Sequence, residues 1–256
     1  MSGAPPDSEF NRDAQGRWDQ GAAIYDARRV RSRSRWFLAL ERRMYAALLP
    51  APPPGRRLRV LDAGCGTGEL SAWLRARADV VSVDLSAASL AVARGRPEAL
   101  RVVQGDLTRL PFRRASVDAV VSNVVLPHLP DELVVRALGE LHAVLRPGGR
   151  LVFTVFNWDG LRGFRSFPSA RGHFPSGVYY RAYTAPELAS LMAATPFTDV
   201  RVRGLGASYA LCQPRRGWHG LYHRLGWVSL PVEHLVQCRL GLLPRAGAYL
   251  VVTARA

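Results

Sequence analysis

Residues Val60 to Leu70, VLDAGCGTGEL, bring together the types best suited to chemistry: an acid, Asp62, three glycines at alternate positions, Gly64, Gly66 and Gly68, and a second acid, Glu69. Leu58, Val60 and Leu61 form a short apolar run ahead of them. Leu70, Trp73 and Leu74 follow at helical spacing, so the order is strand, glycine-rich loop, helix. Glycine is needed there because the loop takes positive φ and lays its backbone against a ligand with no Cβ between them. Two more carboxylates stand where such a ligand needs them. Asp84 ends the apolar run Val80 to Val83, about twenty residues past the first glycine, the usual place for a carboxylate that takes both ribose hydroxyls. Its plainer role is to cap the helix that follows. Asp106 follows the strand-like Leu100 to Gln104, and its plainer role is that of a turn residue after Gly105.

Spacing and charge discriminate among nucleotide ligands. A dinucleotide fingerprint requires a third glycine where this chain has Glu69, and no G-K-[ST] phosphate loop is present. A pyrophosphate wants backbone N–H groups and no nearby anion. This loop is bracketed by Asp62 and Glu69, with no cation between Arg59 and Arg75. The charge suits a cationic ligand, and S-adenosylmethionine, with its sulfonium and ammonium, has that sign.

The elements that position these residues alternate β and α through five strands. Beyond the strands ending at Asp84 and Gln104, a fourth is predicted from Ser116 to Ser122, ending at Asn123. A helix from Asp131 to Leu145 stops at Pro147-Gly148-Gly149, and a fifth strand runs from Arg150 to Phe156.

Four blocks in this order resemble the class I S-adenosylmethionine-dependent methyltransferases, closest to the small-molecule branch that includes the ubiquinone and menaquinone-biosynthesis type. They are VLDAGCGTG, VDLS at Val83 to Ser86, GDLTRLPF at Gly105 to Phe112 with SVDAVVSN after it, and LRPGGRLVFTVFN at Leu145 to Asn157. The resemblance implies an α/β, Rossmann-like, doubly wound and mostly parallel seven-stranded sheet with an antiparallel last strand. An N-terminal helical cap and a helical insertion before the last strand complete the expected fold.

It also implies a site. Gly64, Gly66 and Gly68 lie along the methionine moiety, with Cys65 a small residue that fits between them, and Asp62 reaches the ammonium. Asp84 holds the ribose, Leu85 packs on the adenine, and Asp106 with the Leu107 backbone reads the adenine amino edge. Asn123 sits near the methyl group, and Tyr25, of the Tyr25-Asp26 pair in the N-terminal helical segment, folds over the pocket. His128, in NVVLPHLP just past the fourth strand, is the candidate general base; its plainer role is a structural loop histidine. The implied cofactor is S-adenosyl-L-methionine, leaving as S-adenosyl-L-homocysteine, with no metal. The sulfonium is already activated, so in-line displacement depends mainly on holding an acceptor against the methyl carbon in a dry pocket.

A length of 256 residues suits one α/β domain with attachments. Cys65, Cys212 and Cys238 form neither a metal-ligand pair nor a disulfide framework, and the start of the chain lacks the regions of a signal peptide, which points to a cytoplasmic protein. The net charge of +15 comes from 35 basic residues that are all arginine. Isoleucine occurs once, so the bias is partly that of GC-rich coding, while the charge itself is real and would attract acidic ligands, anionic lipid or RNA. Enzymes that methylate exocyclic base nitrogens carry an Asn/Asp-Pro-Pro-aromatic motif after strand four. This chain has Ser122-Asn123-Val124-Val125 there, and C5-type Pro-Cys is missing. The expected partner is a small organic acceptor, acidic or lipophilic, methylated on oxygen before carbon or nitrogen, in secondary-metabolite, quinone or lipid metabolism. An RNA or DNA methyltransferase and a noncatalytic cofactor-binding partner remain the alternatives.

Composition divides the chain into a disordered tail over 1–16, a helical cap and linker over 17–55, and a core over 56–256. The cap contains helices near Trp18 to Ala27 and Trp36 to Leu49. The Arg28 to Arg35 run between them is either a solvated linker or an anion-binding edge. Within the core, 157–183 is a lid-like segment rich in Gly, Pro and aromatics, followed by a helix over Pro186 to Ala194 and strands over Asp199 to Arg203 and Ala248 to Ala254. The insertion over 204–247 carries Trp218, Tyr222, Trp227, Leu230 and Leu235 among arginines. That face either packs on the core or meets a membrane surface. His219 and His223 lack the pattern of a metal site. A monomer and a homodimer are both compatible.

Overall fold

A computed structural model describes residues 10–22, 35–162, 164, 166–206, 231, 232, 235 and 247–256. The first helix, α1, covers 10–22. Then come α2 (Arg35–Leu48), β1 (Leu58–Ala63), α3 (Glu69–Arg75), β2 (Ala78–Asp84), α4 (Ala87–Arg94), β3 (Arg101–Gln104) and β4 (Val117–Asn123). A 3-10 turn (Leu126–His128) leads to α5 (Asp131–Val144), β5 (Leu145–Asn157), α6 (Trp158–Leu161), β6 (Arg171–His173), β7 (Tyr179–Tyr183), α7 (Ala185–Ala193), β8 (Thr198–Leu205) and β9 (Tyr249–Arg255).

The central strands are apolar on both faces, as a parallel sheet covered by helices requires. Their order is β3-β2-β1-β4-β5, all parallel, and β9 pairs antiparallel with β5 and with β8. Seven of the sheet's nine strands therefore make the expected Rossmann-like arrangement with an antiparallel last strand, and β7 and β6 extend it. On one face α5 and α7 bury Leu138, Leu141, Leu188 and Met192 against Leu151 and Phe153. On the other, α2 and α3 bury Leu40, Met44 and Leu74 against Val60, Val121 and Val152. The chain winds from β1 out to β3, then returns to start β4 beside β1. That switch point opens a crevice at the carboxyl ends of the strands.

Three regions differ from expectation. The segment predicted as a tail over 1–16 is helical from residue 10, stiffened by an Arg17–Asp13 pair at 2.8 Å across one turn. The segment 157–183 contains a hairpin: β6 pairs with β7, and β7 adds to β5 at Phe156 and Asn157, just past the point where β4 ends opposite Thr154. Its YYRAY core favours a strand, although Gly and Pro on either side disguise it. β5 starts at Leu145, and Pro147-Gly148-Gly149 is a bulge within it rather than a break before it. Most of the 204–247 insertion, including His219 and His223, lies outside the described residues, as does the 28–34 part of the arginine run. Among the described residues no helix is long and apolar enough to cross a membrane.

Candidate active site

The crevice holds a cavity enclosing about 880 Å³, its open mouth included. Four of the five parallel strands deliver residues to it at their carboxyl ends: Gly64 and Gly66 from β1, Asp84 and Leu85 from β2, Gly105 to Leu107 from β3, and Asn123 to Val125 from β4. The loop after β1 is anchored by Gly64 and Cys65, whose N–H groups donate to Val83 O at 2.8 and 3.0 Å. Gly64 has φ +78°, and a Cβ there would run into the Val125 side chain. Gly66, at φ +53°, is different: among the described residues a Cβ there would meet nothing within 4 Å, so this backbone faces open cavity.

Asp84 ties the loop to β2. Its Oδ2 accepts from Gly66 N at 2.7 Å and its Oδ1 from Ser86 N at 2.9 Å. Burial pushes its carboxyl up from the usual range, against the pull of those N–H donors. The cap of α4 is Ser86, whose Oγ accepts from Ser89 N at 3.0 Å, so capping does not account for Asp84. Asp106 is both a turn residue and a wall of the cavity. Its Oδ1 accepts from Thr108 N and Oγ1 at 2.8 Å each, and its Oδ2 from Asn11 Nδ2 at 2.6 Å.

Asn11 belongs to α1, which roofs the cavity with Asn11, Ala14, Trp18 and Ala22, residues three or four apart and so on one helical face. The helix is fastened at a second point, where Asp19 Oδ1 accepts from Ser86 Oγ at 2.6 Å and Ala88 N at 3.0 Å. None of these α1 contacts was expected from the sequence. The signal available was the Asn11, Ala14, Trp18, Ala22 period, weak because two of its members are alanine.

At the far end, Asn123 Oδ1 accepts from Thr154 Oγ1 at 2.7 Å and its Nδ2 donates to Glu41 Oε1 at 3.3 Å. Val124 follows at φ +57°, unusual for a β-branched residue, with its N–H on Thr154 O and Oγ1. His128 Nδ1 lies 2.8 Å from Tyr179 O. A carbonyl only accepts, so Nδ1 carries the proton and Nε2 keeps its lone pair in the neutral ring. Trp18 and Phe156 stand edge-on at 5.0 and 5.8 Å, and burial lowers the imidazole to about 4.

A family profile described as a methyltransferase domain matches residues 61–153. A malonyl-[acyl-carrier protein] O-methyltransferase of Pectobacterium atrosepticum is 42% identical over 46% of this chain, a match that spans 47% of that protein's length. A demethylmenaquinone methyltransferase of Beutenbergia cavernae is 32% identical over 83% of this chain and 85% of its own length. The chain belongs to the class I S-adenosylmethionine-dependent methyltransferases. Among solved structures, the 1,6-didemethyltoxoflavin-N1-methyltransferase of Burkholderia thailandensis with bound 1,6-didemethyltoxoflavin and S-adenosylhomocysteine is similar, with a TM-score of 0.58, 25% identity, and coverage of 100% of this chain and 92% of that one.

In this methyltransferase the crevice gathers Gly64, Gly66, Asp84, Leu85, Asp106, Leu107, Asn123 and His128. Three other expected residues are placed elsewhere. Asp62 is buried, accepting from Ser71 Oγ at 2.5 Å, and Ser71 Oγ lies 2.8 Å from Ser82 Oγ, so the acid braces the strand–helix junction. The buried Cys65 thiol, raised far above its ordinary range by desolvation, lies 3.6 Å from Gly66 O. Gly68 is the N-cap of α3 at φ +81°, where a Cβ would crowd Leu100. Tyr25 lies outside the described residues. Among the described residues no three His, Cys, Asp or Glu side chains form a metal cluster.

Proposed function

We propose that the crevice binds S-adenosyl-L-methionine between the glycine loop and α1 and methylates a neutral, largely apolar small acceptor, on oxygen before carbon or nitrogen. When bound, the cofactor supplies an activated methyl group; S-adenosyl-L-homocysteine is the other product. The fit rests on two features: the open face at Gly66 is a cradle that a side chain would fill, and the charged groups among the described lining residues are acidic, Asp84 and Asp106, as a cationic ligand prefers. Asp84 and Asp106 would take the ribose and adenine ends, with Leu85 and Leu107 against the base and Asn123 toward the methyl group.

The observation that carries the acceptor assignment is the His128 environment. A neutral imidazole, its tautomer set by the Tyr179 carbonyl, directs Nε2 away from that bond among aromatic rings. Such a group takes the proton of a hydroxyl or an acidic carbon as the methyl bond forms. The described lining provides no cation to hold a carboxylate, which favours a phenol- or quinol-like acceptor over an acidic one. We place the enzyme in the cytoplasm, working without a metal.

Radiolabelled methyl transfer to a panel of phenols, hydroquinones, carboxylates and RNA tests this reading. Transfer to the hydroxyl or ring of the phenolic set is expected, and transfer confined to carboxylates or RNA overturns it. His128→Asn should lower turnover by about 10²–10⁴-fold with cofactor affinity unchanged; normal turnover removes the base role.

A further inference from the structure

Asn11 brings a carbonyl oxygen without a partner to the cavity wall. The residue is 7% exposed and lines the roof with Ala14 and Trp18. Its Nδ2 donates to Asp106 Oδ2 at 2.6 Å, and among the described residues nothing donates to its Oδ1. A carboxylate oxygen accepts, so the amide atom turned to Asp106 is the NH2 and not the carbonyl. Turning the amide over would set one acceptor against another. Asp106 therefore locks Asn11 so that Oδ1 is its free polar atom, and a polar atom buried in this way calls for a donor.

The Asp106 carboxylate is itself largely committed. Its Oδ1 accepts from Thr108 N and Oγ1 at 2.8 Å each, which leaves Oδ2, already holding Asn11, for a ligand in the cavity. Asp106 and Asn11 thus form a pair of acceptors, one after β3 and one on α1, lining the same cavity. A group that matches both carries two hydrogens on one nitrogen. A ring carbonyl does not match, because it would meet acceptors only.

We propose that Asn11 is a specificity-determining residue for the base of the cofactor, its Oδ1 accepting one hydrogen of the adenine 6-amino group while Asp106 Oδ2 accepts the other. The inference rests on the S-adenosylmethionine assignment made above, with the adenine end at Asp106. Hypoxanthine, which has an oxygen in place of that amino group, leaves both acceptors unpaired. Asn11 cannot adapt by turning over, since Asp106 holds its NH2. Sites built around buried polar groups reject a ligand that leaves them unpaired far more strongly than one that differs only in apolar shape.

The test is calorimetric binding of S-adenosylhomocysteine, its N6-methyl derivative and S-inosylhomocysteine to the full-length wild type, Asn11→Ala and Asn11→Leu. The wild type should prefer the adenine ligand to the hypoxanthine one by about 100-fold or more, and Asn11→Ala should lower that ratio about tenfold. N6-methylation removes one of the two hydrogens. It should cost the wild type about tenfold in affinity and Asn11→Ala much less, because the variant has one acceptor fewer to satisfy. Each comparison is a ratio on one preparation, so partial misfolding or a looser α1 cancels. Asn11→Leu, which keeps side-chain volume in the roof, gives the same readout if the alanine variant binds too weakly to measure. Equal loss for all three ligands would make Asn11 a fastening of α1 only, and overturns the proposal. An unchanged adenine-to-hypoxanthine ratio, or no preference in the wild type, overturns it as well. Failure of the wild type to bind any of the three overturns the S-adenosylmethionine assignment instead.

Discussion

Lowering the pH below 6.5 should destabilise this protein through one identifiable residue. In the folded chain the His128 imidazole is held down to about 4, against 6.5 when free, chiefly by burial among Trp18, Phe156 and Phe174 and only partly offset by the Tyr179 carbonyl. Between those two values the unfolded chain carries the proton and the folded chain does not. Stability therefore rises with pH across this window, at up to about 1.4 kcal/mol per unit for one proton. Integrated over the interval, the ceiling is about 3 kcal/mol, reduced to the extent that water in the cavity hydrates the ring. The assay is urea unfolding of wild type and His128→Asn at steps across about pH 4 to 7.5, with the two stabilities subtracted at each step. Asparagine keeps a donor for the Tyr179 carbonyl but does not titrate, and carboxylates common to both proteins cancel in the difference. A difference that is flat with pH would show that His128 titrates normally, and the argument that burial lowers its imidazole would fall with it.

Two more outcomes follow from the loop. In Asp84→Asn a single acceptor oxygen faces the two donors Gly66 N and Ser86 N, leaving one N–H against an NH2, so cofactor affinity should drop by about 1–3 kcal/mol. Calorimetry giving wild-type affinity would remove Asp84 from the site. Gly64→Ala combines a strained φ of +78° with a Cβ driven into Val125, and should cost about 1–3 kcal/mol of stability. Adding Val125→Ala should recover the steric part alone, whereas an unaltered melting temperature in the single variant would contradict the loop geometry.

The donor half of the site was readable because its parts are local. Gly64 and Gly66 announce positive φ by type, and Asp84 and Asp106 announce strand ends by following apolar runs. The role of Asp62 is less legible for a physical reason: an acid at a strand end can point out to the ligand or back into the layer, and the buried Ser71 that holds one of its oxygens lies nine residues on. The roof was hidden because its fastenings are remote. Asn11 meets Asp106 across 95 positions and Asp19 meets Ser86 across 67, and α1 has too few large apolar residues to show an amphipathic period. Glu41 was masked by its neighbours, since Leu40, Met44 and Leu48 made the stripe look wholly apolar.

The proposed donor and acceptor ends share one side chain on β5. Thr154 Oγ1 donates to Asn123 Oδ1 and accepts from Val124 N, so one hydroxyl holds both the amide at the donor end and the positive-φ residue that turns the chain toward His128. That turn is strained, and strain persists only where surrounding bonds over-determine it. Here the bonds are the two from Val124 N to Thr154, and the 3-10 turn begins two residues later at Leu126. His128 is then fixed from the other side by the Tyr179 carbonyl on the β6–β7 hairpin, which the sheet carries at Phe156 and Asn157. On the proposed reading, the distance between methyl and base is therefore governed through β5, by Thr154 near its carboxyl end and by the hairpin that pairs with its last residues. Methyl transfer depends on ångström-scale placement more than on acid–base strength, and a shared rigid strand supplies that placement where two separate loops would not.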